Sequence, residues 1–277
     1  VSTSLPGTGS RQPTTDNKTA GAQMTLTETS ISIESTNGVA WLRFNRPDTL
    51  NAVSTAALAE LAEALESARD ADAVVITGAG RAFCTGADLG TDVNGATVAA
   101  AGEVVSLIAA MPAPVIAAVN GPAAGVGASI AFACDLVLAA DSAFFLLPFL
   151  PLGLVPDGGA THAVVTGAGR TRAARMAFGG ERIPAALAAE WGLVGEVVPA
   201  AELEARVGEV ASRLCSAPRA AVTETKRLLR AAEAPALAAA LERELEIQSD
   251  LLGRQEYARA REGFLARKPV DFRGERG

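Results

Sequence analysis

The chain has 277 residues, of which 49% are hydrophobic and 4% aromatic, and a formal net charge of −7. That length suits one large domain or two smaller ones, with ample apolar core and close-packed helices rich in small residues. The acidic balance argues against a general nucleic-acid or anionic-membrane surface, and no apolar run approaches the ~20 residues needed to cross a bilayer.

Residues 1 to 23 are rich in Ser, Thr, Gly and Pro, with Arg11 and Lys18 as the only bases and no hydrophobic core segment. This composition predicts a disordered tail with neither a secretory nor an organelle-targeting character, with Met24 as an alternative start. Cys84, Cys134 and Cys215 are odd in number and lack metal-ligand spacing, which predicts buried reduced thiols in a cytoplasmic protein.

Ser30–Ser35 and Val39–Asn45 alternate apolar and polar residues around Asn37-Gly38, a hairpin signal, and Arg46-Pro47-Asp48 then breaks the strand. Ser54 is placed to cap a helix reaching about Arg69. Ala73–Thr77 reads as a short buried strand, followed by a loop to about Asn94 and a helix Ala96–Met111 closed by Pro112 and Pro114. Next come a strand Val115–Val119, a helix Val126–Cys134, a strand Asp135–Ala139 and an extended piece Ala143–Leu147. Helices are expected over Gly158–Val165, over Thr171–Phe178, and from Pro184 to about Trp191-Gly192. A last strand spans Val194–Val198, and everything from Ala200 onward reads as helix. No fixed-period repeat is visible, and the pattern is α/β with a helical C-terminal part. Trp41 and Trp191 read as core residues, and the charged residues between Glu202 and Arg261 as a solvated face or subunit contacts.

Two glycine-rich stretches follow apolar strands. Ala117–Asp135 reads AAVNGPAAGVGASIAFACD, and Ala73–Gly90 reads AVVITGAGRAFCTGADLG. Small residues let a ligand press against backbone, and a helix starting in such a loop points free N–H groups at a developing oxyanion. Taken alone, the first stretch reads better as a tight strand-to-helix turn without a ligand.

With FNRPDTLNA at Phe44–Ala52, LGLVPDGGAT at Leu152–Thr161 and ARKPVDF near the C-terminus, these stretches resemble the enoyl-CoA hydratase/isomerase (crotonase) family over about residues 28 to 272. The resemblance implies a crotonase-like α/β spiral of ββα units, with residues 24–200 as the acyl-CoA-binding core. Residues 201–277 would form a helical oligomerisation region of a homotrimer or a dimer of trimers. It implies an acyl-CoA substrate that carries coenzyme A with it, and no separate cofactor or metal.

Carried onto this chain, the family's oxyanion donors are the N–H groups of Ala87 and of Val126, within Gly125-Val126-Gly127, where glycine is the usual central residue. Two such donors lower the barrier by on the order of 3 kcal/mol each. Coenzyme A would lie against Asp48, Thr49, Leu50 and Ala52 and the loop Thr85–Gly90, which includes Asp88 and Leu89. Asp88 reads better as ordering its own loop than as meeting a pyrophosphate. Phe264 and Arg267, beside Lys268, match residues that the family contributes from a neighbouring subunit, and a solvated helix end is the competing reading. The two hydratase glutamates would fall at Ser129 and Phe149; both are absent, so hydration by that pair is not expected.

Asp157 remains. As in family isomerases with an acid here, it would serve as the single base of a 3,2-enoyl-CoA isomerisation; alternatively it caps the following helix. Other readings are a non-catalytic acyl-CoA binding protein, or Asp157 as a nucleophile, as in family dehalogenases. His162, the only histidine, reads as a packing or surface residue.

Overall fold

The computed structural model describes residues 1–4, 29–268 and 270–273. The expected disordered tail, residues 1–23, lies outside the described residues apart from its first four.

The hairpin forms as anticipated. β1 (Ile31–Thr36) and β2 (Val39–Phe44) pair antiparallel across Asn37-Gly38, with Ile31 opposite Phe44 and Thr36 opposite Val39. Both turn residues have positive φ, 52° and 81°, which Asn and Gly tolerate best. α1 (Thr55–Ser67) starts where Ser54 accepts a hydrogen bond from Ala57 N (3.2 Å). β3 (Ala73–Gly78) is buried along its whole length, as its unbroken apolar run requires of a central parallel strand. α2 (Gly95–Ala110) begins with a reciprocal cap between Asn94 and Thr97.

β4 (Val115–Val119), the two-residue β5 (Ala123–Ala124), α3 (Val126–Ala133), β6 (Leu136–Ala140) and β7 (Phe144–Leu146) follow. α4 (Ala160–Ala168) begins two residues later than expected, because Gly158 and Gly159 both take positive φ (63° and 78°) and belong to the turn. α5 (Arg170–Gly179), β8 (Ile183–Pro184), α6 (Ala185–Glu190) and β9 (Glu196–Val198) complete the mixed region. The C-terminal part comprises α7 (Leu203–Cys215), α8 (Arg219–Ala231), α9 (Ala234–Leu252) and α10 (Gln255–Leu265).

The strands form two sheets, one ordered β1-β2-β3-β4-β6-β9 and one β5-β7-β8. From β2 to β9 the larger sheet is parallel. α7 packs on β3, β4 and β6, while α2 packs against both α1 and α9. Cys84 and Cys134 are buried free thiols, whereas Cys215 is half-buried at the end of α7. Trp191 is buried, but Trp41 is half-buried under the Arg43 guanidinium.

Two charged residues of the C-terminal helices depart from the expected solvated face, since Lys226 and Glu244 are 6% and 5% exposed; the uncharged Gln248 is buried with them at 1%. Lys226 Nζ donates to the carbonyls of Ile108 and Ala113 and pairs with Asp135 at 2.7 Å. Arg230 binds the other oxygen of Asp135 (2.8 Å). Burial pushes the Lys226 amine down, and the Asp135 carboxylate opposes that shift. This network ties α8 to the start of β4, where Val115 N also donates to Asp135.

Candidate active site

The glycine-rich segments after β3 and β4 lie against each other. Cys84 bridges Ala123, and Ala124 N donates to Cys84 O (2.9 Å). A Cβ on Gly127 would fall 2.2 Å from Cys84 O, so only glycine permits this approach. Gly125, with φ 53°, turns the chain from β5 into α3.

The first expected donor follows from strand geometry. Val53 N donates to Gly86 O (2.9 Å) and Asp88 N to Val53 O (2.8 Å). In an extended chain this points the intervening N–H of Ala87 the opposite way. That N–H has no acceptor among the described residues. The second donor belongs to the first turn of α3, where N–H groups lack intrahelical acceptors. Ala128 N and Ser129 N turn back to Gly125 O, leaving Val126 N without an acceptor among the described residues. Ala87 and Val126 line one cavity of about 840 Å³, a size suited to a substantial small-molecule ligand.

Leu50, Thr85, Leu89, Gly125, Phe149 and Asp157 line the same cavity. Asp48, Thr49 and Ala52, expected against coenzyme A, do not, and neither do Asp88, Gly90 and Ser129. Thr49 is exposed and its hydroxyl donates to Arg46 O; Ala52 is held through its carbonyl by Arg46. Asp88 pairs with Arg46 (3.0 Å) and accepts from Gly90 N, so it orders its loop. Ser129 is buried, and its hydroxyl donates to the backbone carbonyl of Asp157 (2.7 Å). The Gly158 backbone passes so close that a Cβ there would lie 3.1 Å from Ser129 Cβ. Serine at 129 thus braces the Asp157 loop rather than facing the cavity.

Phe264, Arg267 and Lys268 line the cavity of their own chain. The reason is local: Arg261, one turn earlier on α10, donates to Leu89 O and Thr91 O (2.9 and 3.0 Å) and ties the helix to the loop after Ala87.

Asp157 is 8% exposed and is the only carboxylate among the described residues that line the cavity. Its side chain makes no capping bond to α4. That helix is capped from a distance by Glu244 of α9, which accepts from Gly159 N (2.7 Å), Thr161 N (3.1 Å) and the Thr161 hydroxyl. Asp157 instead accepts from Gln248 Nε2 (3.0 Å). Burial raises its pKa from 3.8 to about 7; the Gln248 bond opposes the rise and the Glu244 charge adds to it. Glu244 is itself raised, by burial first, against its bonds to Thr161 and Gly159. His162 does not line the cavity, and its buried Nε2 has no partner among the described residues. No cluster among the described residues has the makings of a metal site.

Residues 34–275 match the family model described as enoyl-CoA hydratase/isomerase. A protein of Rhodobacter capsulatus described as "Probable enoyl-CoA hydratase" is 38% identical, covering 88% of this chain and 98% of its own. The 1,2-epoxyphenylacetyl-CoA isomerase of Escherichia coli is 36% identical, covering 86% and 96%. Among solved structures, an enoyl-CoA hydratase from Mycobacterium avium subsp. paratuberculosis superposes with a TM-score of 0.83 at 42% identity, over 88% of this chain and 98% of that one. Paired backbone donors beside one large cavity, within this sheet order, thus accompany a match along nearly the whole described chain, and the chain belongs to the enoyl-CoA hydratase/isomerase (crotonase) family.

Proposed function

We propose that this chain is an acyl-CoA isomerase that moves a double bond from the 3,4 to the 2,3 position, with Asp157 as its single base. The observation that carries this reading is that Asp157 is the one carboxylate lining the cavity among the described residues, is free of the helix cap, and has a pKa of about 7. A base poised there takes up and returns a proton efficiently near neutral pH.

In this mechanism the thioester oxygen sits against the N–H groups of Ala87 and Val126. Asp157 removes a proton from C2, and the electron pair of the broken C–H bond delocalises as a dienolate onto the thioester oxygen. The protonated Asp157 then delivers the same proton to C4, leaving the double bond between C2 and C3. Charge on the oxygen rises and falls within one cycle, where preformed backbone donors cost no reorganisation. The apolar wall, including Leu146, Phe149 and Leu154, keeps water from the carbanion and accommodates an apolar acyl chain.

The absence of glutamate at Ser129 and Phe149 favours a second reading, a non-catalytic acyl-CoA binding protein. Turnover of a 3-enoyl-CoA and a 2-enoyl-CoA, side by side, with Asp157→Ala as control, separates the two. Isomerisation that disappears in the variant supports the first; tight acyl-CoA binding with no turnover of either substrate supports the second. A homotrimer, or a pair of trimers, is part of the proposal: Phe178, Leu228 and Leu229 are 77%, 70% and 69% exposed on one chain and call for cover. A cytoplasmic setting accords with the three free thiols.

A further inference from the structure

We infer that Gln248 is a positioning residue that fixes which oxygen of Asp157 exchanges protons and holds that carboxylate ready to act as a base. The inference rests on Asp157 as the base.

Gln248 is 1% exposed, projects from α9, and lies 91 positions from Asp157 in sequence. Its Oε1 accepts from Val155 N (3.0 Å), and its Nε2 donates to Asp157 Oδ2 (3.0 Å). A backbone N–H only donates, so the amide has one workable orientation, and Asp157 always meets a donor. Oδ2 is thereby engaged, and Oδ1 is left to carry the proton toward the substrate. One turn earlier on the same helix, Glu244 caps α4 and relieves Asp157 of that task. α9 therefore supplies both groups that keep this carboxylate out of the helix cap and oriented.

The charged surroundings separate Gln248 from its neighbours. Glu244 on α9 raises the proton affinity of Asp157 through its charge, and His162 on α4 acts on Glu244. Arg182, Arg267 and Lys268 line the same cavity. Of the groups named, only Gln248 donates a side-chain hydrogen bond to Asp157. Removing that donor penalises the charged form, so Asp157 must titrate higher.

The test uses the full chain and follows the Asp157 carboxyl by carbon-13 NMR against pH, with its signal assigned through Asp157→Asn, together with the pH profile of kcat/KM on a 3-enoyl-CoA. In Gln248→Leu the midpoint is expected to rise by about one pH unit or more. Turnover at pH 7 should fall about fivefold or more and recover toward pH 9 as the carboxylate forms. Gln248→Met keeps the length of the side chain, removes the donor and adds no charge, so it shifts the midpoint the same way and decides the matter if the leucine variant does not fold. An unchanged midpoint in a folded variant, even with lower activity or melting temperature, overturns the inference. A wild type that does not isomerise removes the base role, while the NMR midpoint still judges the Asp157–Gln248 coupling.

Discussion

Gly127 and Cys84 meet so closely that a single added methyl carbon on Gly127 would lie 2.2 Å from the Cys84 carbonyl oxygen. This contact fixes the first turn of α3 against the loop that leads to Ala87, and hence sets the N–H groups of Ala87 and Val126, unpartnered among the described residues, relative to each other. Gly127→Ala is expected to destabilise the fold by about 1–3 kcal/mol, as overpacking does. It should reduce thioester turnover more than its loss of melting temperature explains, because it forces the two donor loops apart. Thermal unfolding and kcat/KM measured on the same preparation check this; an unaltered melting temperature with normal turnover contradicts it.

The donor role of Val126 is testable without changing the cavity wall greatly. Val126 occupies the first position of α3, where proline is tolerated because that N–H has no helical acceptor. Val126→Pro therefore deletes the donor while sparing the helix. Turnover should fall by roughly 10²–10³-fold, the loss seen when one oxyanion donor is removed, with acyl-CoA binding changed far less. Steady-state kinetics beside a binding isotherm give the answer.

Asp157 makes stability depend on pH in a defined direction. Its pKa is about 7 in the folded chain against 3.8 for an unperturbed aspartate, so the folded state holds the proton more tightly. The group's contribution to stability is full below about pH 4 and is lost progressively as pH rises through about 7. The loss amounts to on the order of 4 kcal/mol, since each tenfold change in proton affinity corresponds to about 1.4 kcal/mol. Asp157→Asn, which keeps an acceptor for Gln248, should accordingly raise the melting temperature at pH 8 and raise it much less at pH 5. Equal effects at both pH values would argue against a protonated buried aspartate.

The Asp135 network holds α8 to the sheet, and the side chain of Lys226 within it is 5% exposed. Asp135→Ala leaves that ammonium buried beside carbonyls alone, and Arg230 loses its main partner. Breaking one side of such a pair costs about 3–5 kcal/mol. Chemical denaturation should show this loss, with Asp135→Ala together with Lys226→Met recovering part of it.

Local signals carried much of the fold into the sequence. The Asn37-Gly38 turn, the Ser54 cap and the strand before Pro122 are readable because each depends on residues within a few positions of one another. β5 and β8, two residues each, leave no periodic trace and exist only because β7 lies between them. At the site, the loops bearing Ala87, Val126 and Asp157 were legible through their glycines and their order. What surrounds Asp157 was not. Glu244 and Gln248 look like ordinary polar positions on a helix, and their partners lie 85 and 91 residues away. Ser129 read as a missing acid, and only the fold reveals its bond to the Asp157 carbonyl. The placement of Phe264 and Arg267 over their own cavity depends on Arg261 reaching Leu89, another contact between distant segments.

Whether one carboxylate, Asp157, moves the proton is read most plainly from the product formed from a 3-enoyl-CoA by the wild type and by Asp157→Asn at pH 8, followed by NMR. The expected product of the wild type is a 2-enoyl-CoA, with a loss of at least about 10³-fold in the variant, which still binds acyl-CoA. Undiminished isomerisation by Asp157→Asn, or a 3-hydroxyacyl-CoA as the wild type's main product, would contradict the single-base mechanism.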